Sequence, residues 1–167
     1  MKRDELREIQ RPLKESYRED PSRARITLSA SGDLSGDGIA CSVRTGRAIA
    51  EAGLHPATGG DGSQLCSGDM LLEALAACAG VTLRSVATSL DLPVRGGTVV
   101  AEGDLDFRGT LAVDREAPVG FEQIRLRFEL DSDADDEQLD TLIRLTERYC
   151  VVLQTIASSP ELSVTRA

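Results

Sequence analysis

Residues 67–90 read SGDMLLEALAACAGVTLRSVATSL. The spacing predicts a helix from about Gly68 to about Leu90, with Ser67 as its cap and Asp69 in a first turn where the helix dipole favours negative charge. Leu71, Leu75, Cys78, Thr82 and Val86 share one face, and Leu72, Ala76, Ala79 and Leu83 leave little of the circumference polar. A helix apolar nearly all round is a buried helix. Its longest apolar run, Met70 to Leu83, is interrupted by Glu73 and is too short to span a bilayer. Cys78 sits in the middle of this run, where a thiol serves either as a small hydrophobe or as a nucleophile.

Towards the C-terminus, DLPVRGG ends the helix and two alternating segments follow, TVVAEGDLDFRGTL and FEQIRLRFEL. In the second, Phe121, Ile124, Leu126, Phe128 and Leu130 stand mostly at period two, so both are expected as strands, paired antiparallel. A second long helix is expected to start in DADDEQL, where Asp135 and Gln138 have capping-box spacing. Leu139, Leu142, Ile143, Thr146, Tyr149, Cys150 and Leu153 line one of its faces, which puts Cys150 near its middle on the core side. Pro160 marks its end, and LSVTR reads as a last short strand.

Towards the N-terminus, EAGLHPATGGDGSQ has turn chemistry throughout and reads as a surface loop. Before it, RITLSASGDLSGDGIACSVR reads as a hairpin turning near Ser35 to Gly38. Residues 1–22 form a charged arm, with Leu6, Ile9 and Leu13 at near-helical spacing and Pro12 and Pro21 as breakers. The arm leaves residues 23–167 as one domain. Hairpin, buried helix, strands, helix and strand, without β-α-β alternation, make the fold class α+β.

The chain of 167 residues is 41% apolar and 28% charged, the balance of a globular protein with one core. Aromatics at 3% and no Trp argue against a stacking platform for single strands, and a net charge of −9 repels phosphate backbones and anionic membrane surfaces. Neither nucleic acid nor membrane is an expected partner. The N-terminus has no apolar core of a secretory signal, so the expected location is cytoplasmic. In a reducing compartment Cys41, Cys66, Cys78 and Cys150 are expected to be free, catalytic or metal-bound rather than a disulfide framework.

Metal binding is not expected, because there is no CxxC pair and only one His. DSDADDEQ resembles the opening of a calcium loop, but Asp136 stands where the turn glycine is needed and Leu142 where the bidentate Glu belongs. His55, beside Pro56, reads as a loop residue. Cys66 lies just before the first helix, a position that activates thiols, yet twelve residues separate it from Cys78, about 18 Å along a helix. Those two cannot form an intrahelical redox pair. If the two long helices pack together, Cys78 and Cys150 could approach; on spacing alone, the small buried hydrophobe is the favoured reading of both.

The segments SGDMLLEALAACAGVTL and ERYCVVLQTI together resemble the family of osmotically inducible protein C and organic hydroperoxide resistance proteins (OsmC/Ohr). The first is similar to that family's P-x-E-L-L-x-A-A-L-A-x-C helix and the second to its E-x-x-C-P-x-x-x-T helix, over roughly residues 25–167. The resemblance implies an intertwined homodimer with two long central helices per subunit and antiparallel sheets wrapped outside. It implies an activity too: reduction of organic hydroperoxides by Cys78 as the peroxidatic thiol and Cys150 as the resolving one, with no cofactor. A dithiol such as a lipoylated protein would regenerate the enzyme.

Peroxidase members carry an Arg in the first hairpin turn that holds the thiolate, whereas this turn reads SGDLSGDGIA. Where they place a Glu to orient that Arg, ten residues before the first cysteine, this chain has Gly68, followed by Asp69 and, five residues before Cys78, Glu73. Arg44 and Arg47, just downstream of the hairpin, are the candidates to supply the missing cation, with Asp69 and Glu73 as supporting acids. The alternative is a member without peroxidase activity, whose cysteines are structural and whose dimer interface binds a small apolar or thiol ligand.

Overall fold

The computed structural model describes residues 3–33, 42–43, 52–63 and 65–166. In chain order the elements are α1 (Arg3–Glu19), a 3-10 turn (Pro21–Ala24), β1 (Arg25–Asp33), β2 (Ser42–Val43), β3 (Ala52–Gly53), a second 3-10 turn (Pro56–Thr58) and β4 (Leu65–Cys66). Then come α2 (Ser67–Ser89), β5 (Val94–Asp106), α3 (Phe107–Thr110), β6 (Phe121–Ser132), α4 (Asp136–Tyr149) and α5 (Val151–Ala157). The class is α+β, as expected.

The main sheet has the order β2-β1-β5-β6 with every pair antiparallel, and β3 and β4 form a small parallel pair. Side chains alternate across a strand, and on β5 Val99, Ala101 and Leu105 turn inward. Gly103 continues that face, because a Cβ there would overlap the Phe121 ring lying across the strand. On the outer face Arg125 of β6 reaches across to Asp104 of β5, with 3.0 Å between Nη2 and Oδ1.

Helix α2 lies on the inner face and α4 and α5 pack against it. Leu72, Leu75, Ala76, Ala79 and Leu83 have no exposed surface, and α4 adds Leu142 and Thr146. By length and composition α2 could cross a membrane, a property that core helices share; counting only to Leu83 missed this, since the helix continues through Arg84 to Ser89. Its cap is Cys66 rather than Ser67: the Cys66 sulfur accepts from the Gly68 N–H at 3.4 Å. The capping box of Asp135 and Gln138 is present in both directions, at 2.8 and 3.1 Å.

Four further expectations are corrected. Pro12 does not break α1, which runs on to Glu19; Pro12 is on an exposed face, where the carbonyl that it leaves without a partner can turn to water. The segment read as a surface loop carries β3 and a turn whose Ala57 and Thr58 are buried. Helix α1 holds that turn from behind, with the Tyr17 hydroxyl donating to the Ala57 carbonyl at 2.7 Å and Gln10 Nε2 to the Thr58 carbonyl at 3.3 Å. LSVTR forms no strand; Leu162 and Val164 stand exposed, and no strand among the described residues pairs with the segment. The second long helix is broken: Cys150 is extended, with φ −71° and ψ 105°, between α4 and α5. The first hairpin turn lies outside the described residues.

Candidate functional site

The break at Cys150 determines the surroundings of Cys78. In a continuous helix the N–H groups of Val151 and Val152 would bond the carbonyls of Glu147 and Arg148, four residues back. Here α4 closes with the Cys150 N–H on the Thr146 carbonyl at 2.9 Å, and α5 starts afresh with the Gln154 N–H on the Cys150 carbonyl at 2.9 Å. The Glu147 carbonyl is taken instead by Gln154 Nε2, at 2.8 Å. The N–H groups of Val151 and Val152 are thereby turned away from their own helix, and both act on the Cys78 sulfur as donors.

Cys78 and Cys150 are both free thiols, Cys150 wholly buried and Cys78 partly so, and they interact directly. Burial alone would raise the Cys78 thiol, but the Val152 N–H, the Cys150 thiol, the Thr82 hydroxyl and the Val151 N–H together bring it below the ordinary thiol value. For Cys150 burial dominates, and its thiol is pushed up to about 11. One member of the pair thus favours thiolate and the other thiol.

Thr82, one turn beyond Cys78, also lines a groove of about 490 Å³ between α2 and α4, together with Val81, Val86, Leu90, Leu145 and Tyr149.

Of the proposed supporting residues, the two acids fall elsewhere. Asp69, in the first turn of α2, acts on His55 and on Glu73. The Glu73 carboxyl is raised, first by burial and then by Asp69. Glu73 lies five residues before Cys78, about 140° round the helix, and so faces away from the sulfur. Arg44, Arg47 and Cys41 lie outside the described residues. The groups that sequence reasoning missed are the two backbone amides, which no side chain announces, and the role of Thr82, whose position on the Cys78 face was the available signal. Val151 stands where the resembled pattern has proline, a residue with no N–H to offer. Among the described residues no three His, Cys, Asp or Glu cluster to hold a metal ion.

Comparison with known proteins adds three findings. No curated protein matches the chain. Among solved structures the fold is similar to an OsmC-like hydroperoxide resistance protein from Jannaschia sp. CCS1, at 16% identity and a TM-score of 0.60, over 83% of this chain and 91% of that one. The family described as OsmC-like protein matches residues 60–165.

Proposed function

The chain belongs to the OsmC-like family, and on that premise we propose that it is a thiol peroxidase for organic hydroperoxides, with Cys78 as the attacking and Cys150 as the resolving thiol. The observation that carries this reading is the pair itself: two interacting free thiols, the first with donors that favour its thiolate and the second kept protonated by burial. The Cys78 thiolate attacks the outer peroxide oxygen, the O–O bond breaks, and the alkoxide leaves with a proton as alcohol. Cys78 becomes a sulfenic acid. The Cys150 sulfur then displaces hydroxide, which takes the Cys150 proton and leaves as water, and a disulfide remains. A dithiol, such as a lipoylated protein, returns both thiols by exchange and is itself oxidised.

In this reading dipoles replace the hairpin arginine. Amides at the start of a helix stabilise negative charge without a cation, and Val151 contributes a donor that proline could not. Arg44 and Arg47 remain proposals for an additional cation.

A homodimer belongs to the same proposal. Met70, Val81, Leu90, Tyr149 and Val151 are all exposed on the α2 side and beside the helix break, an apolar surface that a second copy would cover. A second reading, binding of a small apolar ligand without turnover, draws on the groove beside Thr82.

The experiment is addition of cumene hydroperoxide to the purified protein, with free thiols counted. The peroxidase reading expects two thiols lost per peroxide and a Cys78–Cys150 crosslink by mass spectrometry. Retention of every thiol would favour the binder.

A further inference from the structure

At the other end of α2, away from the thiol pair, a second cavity of about 430 Å³ opens between the helix N-terminus, the 53–58 segment and the start of β6. That volume is in the range of small-molecule sites. Leu54, Leu71, Leu105, Phe107 and Phe121 make its walls apolar, and Cys66 and His55 bring a thiol and an imidazole to it. We propose that this cavity is a ligand site for apolar α,β-unsaturated carbonyl compounds, which it fixes covalently on Cys66.

Three features assign the chemistry. First, Gly53 and Cys66 are register partners of the parallel β3–β4 pair, so the chain beyond Gly53 runs beside the first turn of α2. His55 and Cys66 therefore line one wall.

Second, the imidazole is fixed in place and in tautomer. Its ring stacks on Phe107 with centroids 4.9 Å apart and 18° between planes, and Nδ1 accepts from the Ala57 N–H at 3.0 Å. A neutral ring whose Nδ1 accepts carries its proton on Nε2, so the imidazole that lines the cavity has an N–H to donate and no free base nitrogen. Burial lowers the His55 pKa and keeps the ring neutral. The turn that carries it is held from behind by Tyr17 of α1.

Third, Cys66 is a free, half-buried thiol. Apolar walls, one fixed N–H donor and one soft nucleophile match a ligand with an alkyl chain, a carbonyl oxygen and an electrophilic carbon two bonds from the carbonyl carbon. The Cys66 thiolate forms an S–C bond at the β-carbon, and the alkene π pair moves through to the carbonyl oxygen, which His55 Nε2–H stabilises. The enolate takes a proton from water at the α-carbon, so the net reaction adds S–H across C=C with no oxidant and no leaving group.

The test uses the full chain, trans-2-nonenal and acrylamide, which share the reacting group and differ in the apolar chain, with adducts located by mass spectrometry. Native Cys66 should prefer nonenal over acrylamide at least about tenfold more than Cys66 in the denatured chain does, the gain expected of a positioned reactant. The saturated ketone 2-nonanone should protect Cys66 by competition. Gly120 lines the cavity and has no neighbour within 4 Å of a Cβ built on it, so Gly120→Trp should fill the space and return the preference to the denatured value. Thr110→Trp serves if that variant does not fold. A native preference equal to the denatured one, or no protection by 2-nonanone, would overturn the proposal.

Discussion

Cys78 lies inside an unbroken helix of 23 residues, whereas Cys150 occupies the one extended position between α4 and α5. The backbone at Cys78 is fully engaged in its helix and gives the sulfur nothing. The backbone just after Cys150 is released by the break, and its two amides turn to the neighbour's sulfur. Two identical side chains in contact thus acquire opposite tendencies, because a gap in one helix frees amides that favour the thiolate on the other. Among the described residues, the groups that lower the Cys78 thiol are dipoles fixed by the fold.

The largest expected effect separates the two thiols by role. Cys78→Ser should abolish hydroperoxide consumption, a loss on the order of a thousandfold or more. Cys150→Ser should keep one rapid turnover and accumulate a sulfenic acid that dimedone traps. Equal, complete inactivation of the first turnover in both variants would erase the distinction.

A second effect is read in pH. The Cys78 pKa is lowered from the ordinary thiol value, so its thiolate persists to a lower pH than that of an ordinary thiol. The Cys150 thiol at about 11 is ionised to only about 0.1% at pH 8. Iodoacetamide at pH 8 should therefore label Cys78 in strong preference to Cys150. The initial rate of peroxide consumption should fall with acidification along the Cys78 titration, measured by stopped flow.

Smaller effects dissect the donors. Val151→Pro suits the first position of α5, and the conformation of Cys150 is one that a residue before proline adopts readily. The variant should fold while losing one N–H, and alkylation of Cys78 at neutral pH should slow about two- to fivefold. No change would leave Val152 as the effective amide. Thr82→Val keeps the shape and removes the hydroxyl, with about a twofold slowing expected. Asp135→Ala should cost about 0.5–2 kcal/mol of stability in denaturant melts and leave Cys78 reactivity unchanged, since that cap lies at the far end of α4.

The parts of this arrangement that the sequence discloses are those written in side-chain periodicity. Helix α2, strand β6 and the Asp135 cap were legible because apolar spacing or a side-chain oxygen marks each one. The break at Cys150 has no glycine or proline to announce it, so the periodicity of Leu142, Thr146 and Leu153 runs through it uninterrupted. The same limit hid the donors on Cys78, which are backbone amides freed by that break. LSVTR alternates like a strand, but alternation cannot say whether an edge is available to pair with it. The mixed outcome at Cys66 has a related cause: a cap position can be inferred from spacing, while the neighbouring serine is the more usual capping residue.

The placement of the two tyrosines has a practical consequence. With no Trp in the chain, near-ultraviolet emission comes from Tyr17 and Tyr149 alone. Tyr17 is 4% exposed with its hydroxyl bound to a carbonyl, and Tyr149 is 57% exposed and adjacent to Cys150. Acrylamide quenching should therefore resolve two emitters, one reporting release of the N-terminal helix and the other the state of the helix junction. Each process acquires an optical signal without a label, and a Phe substitution at either position isolates the other.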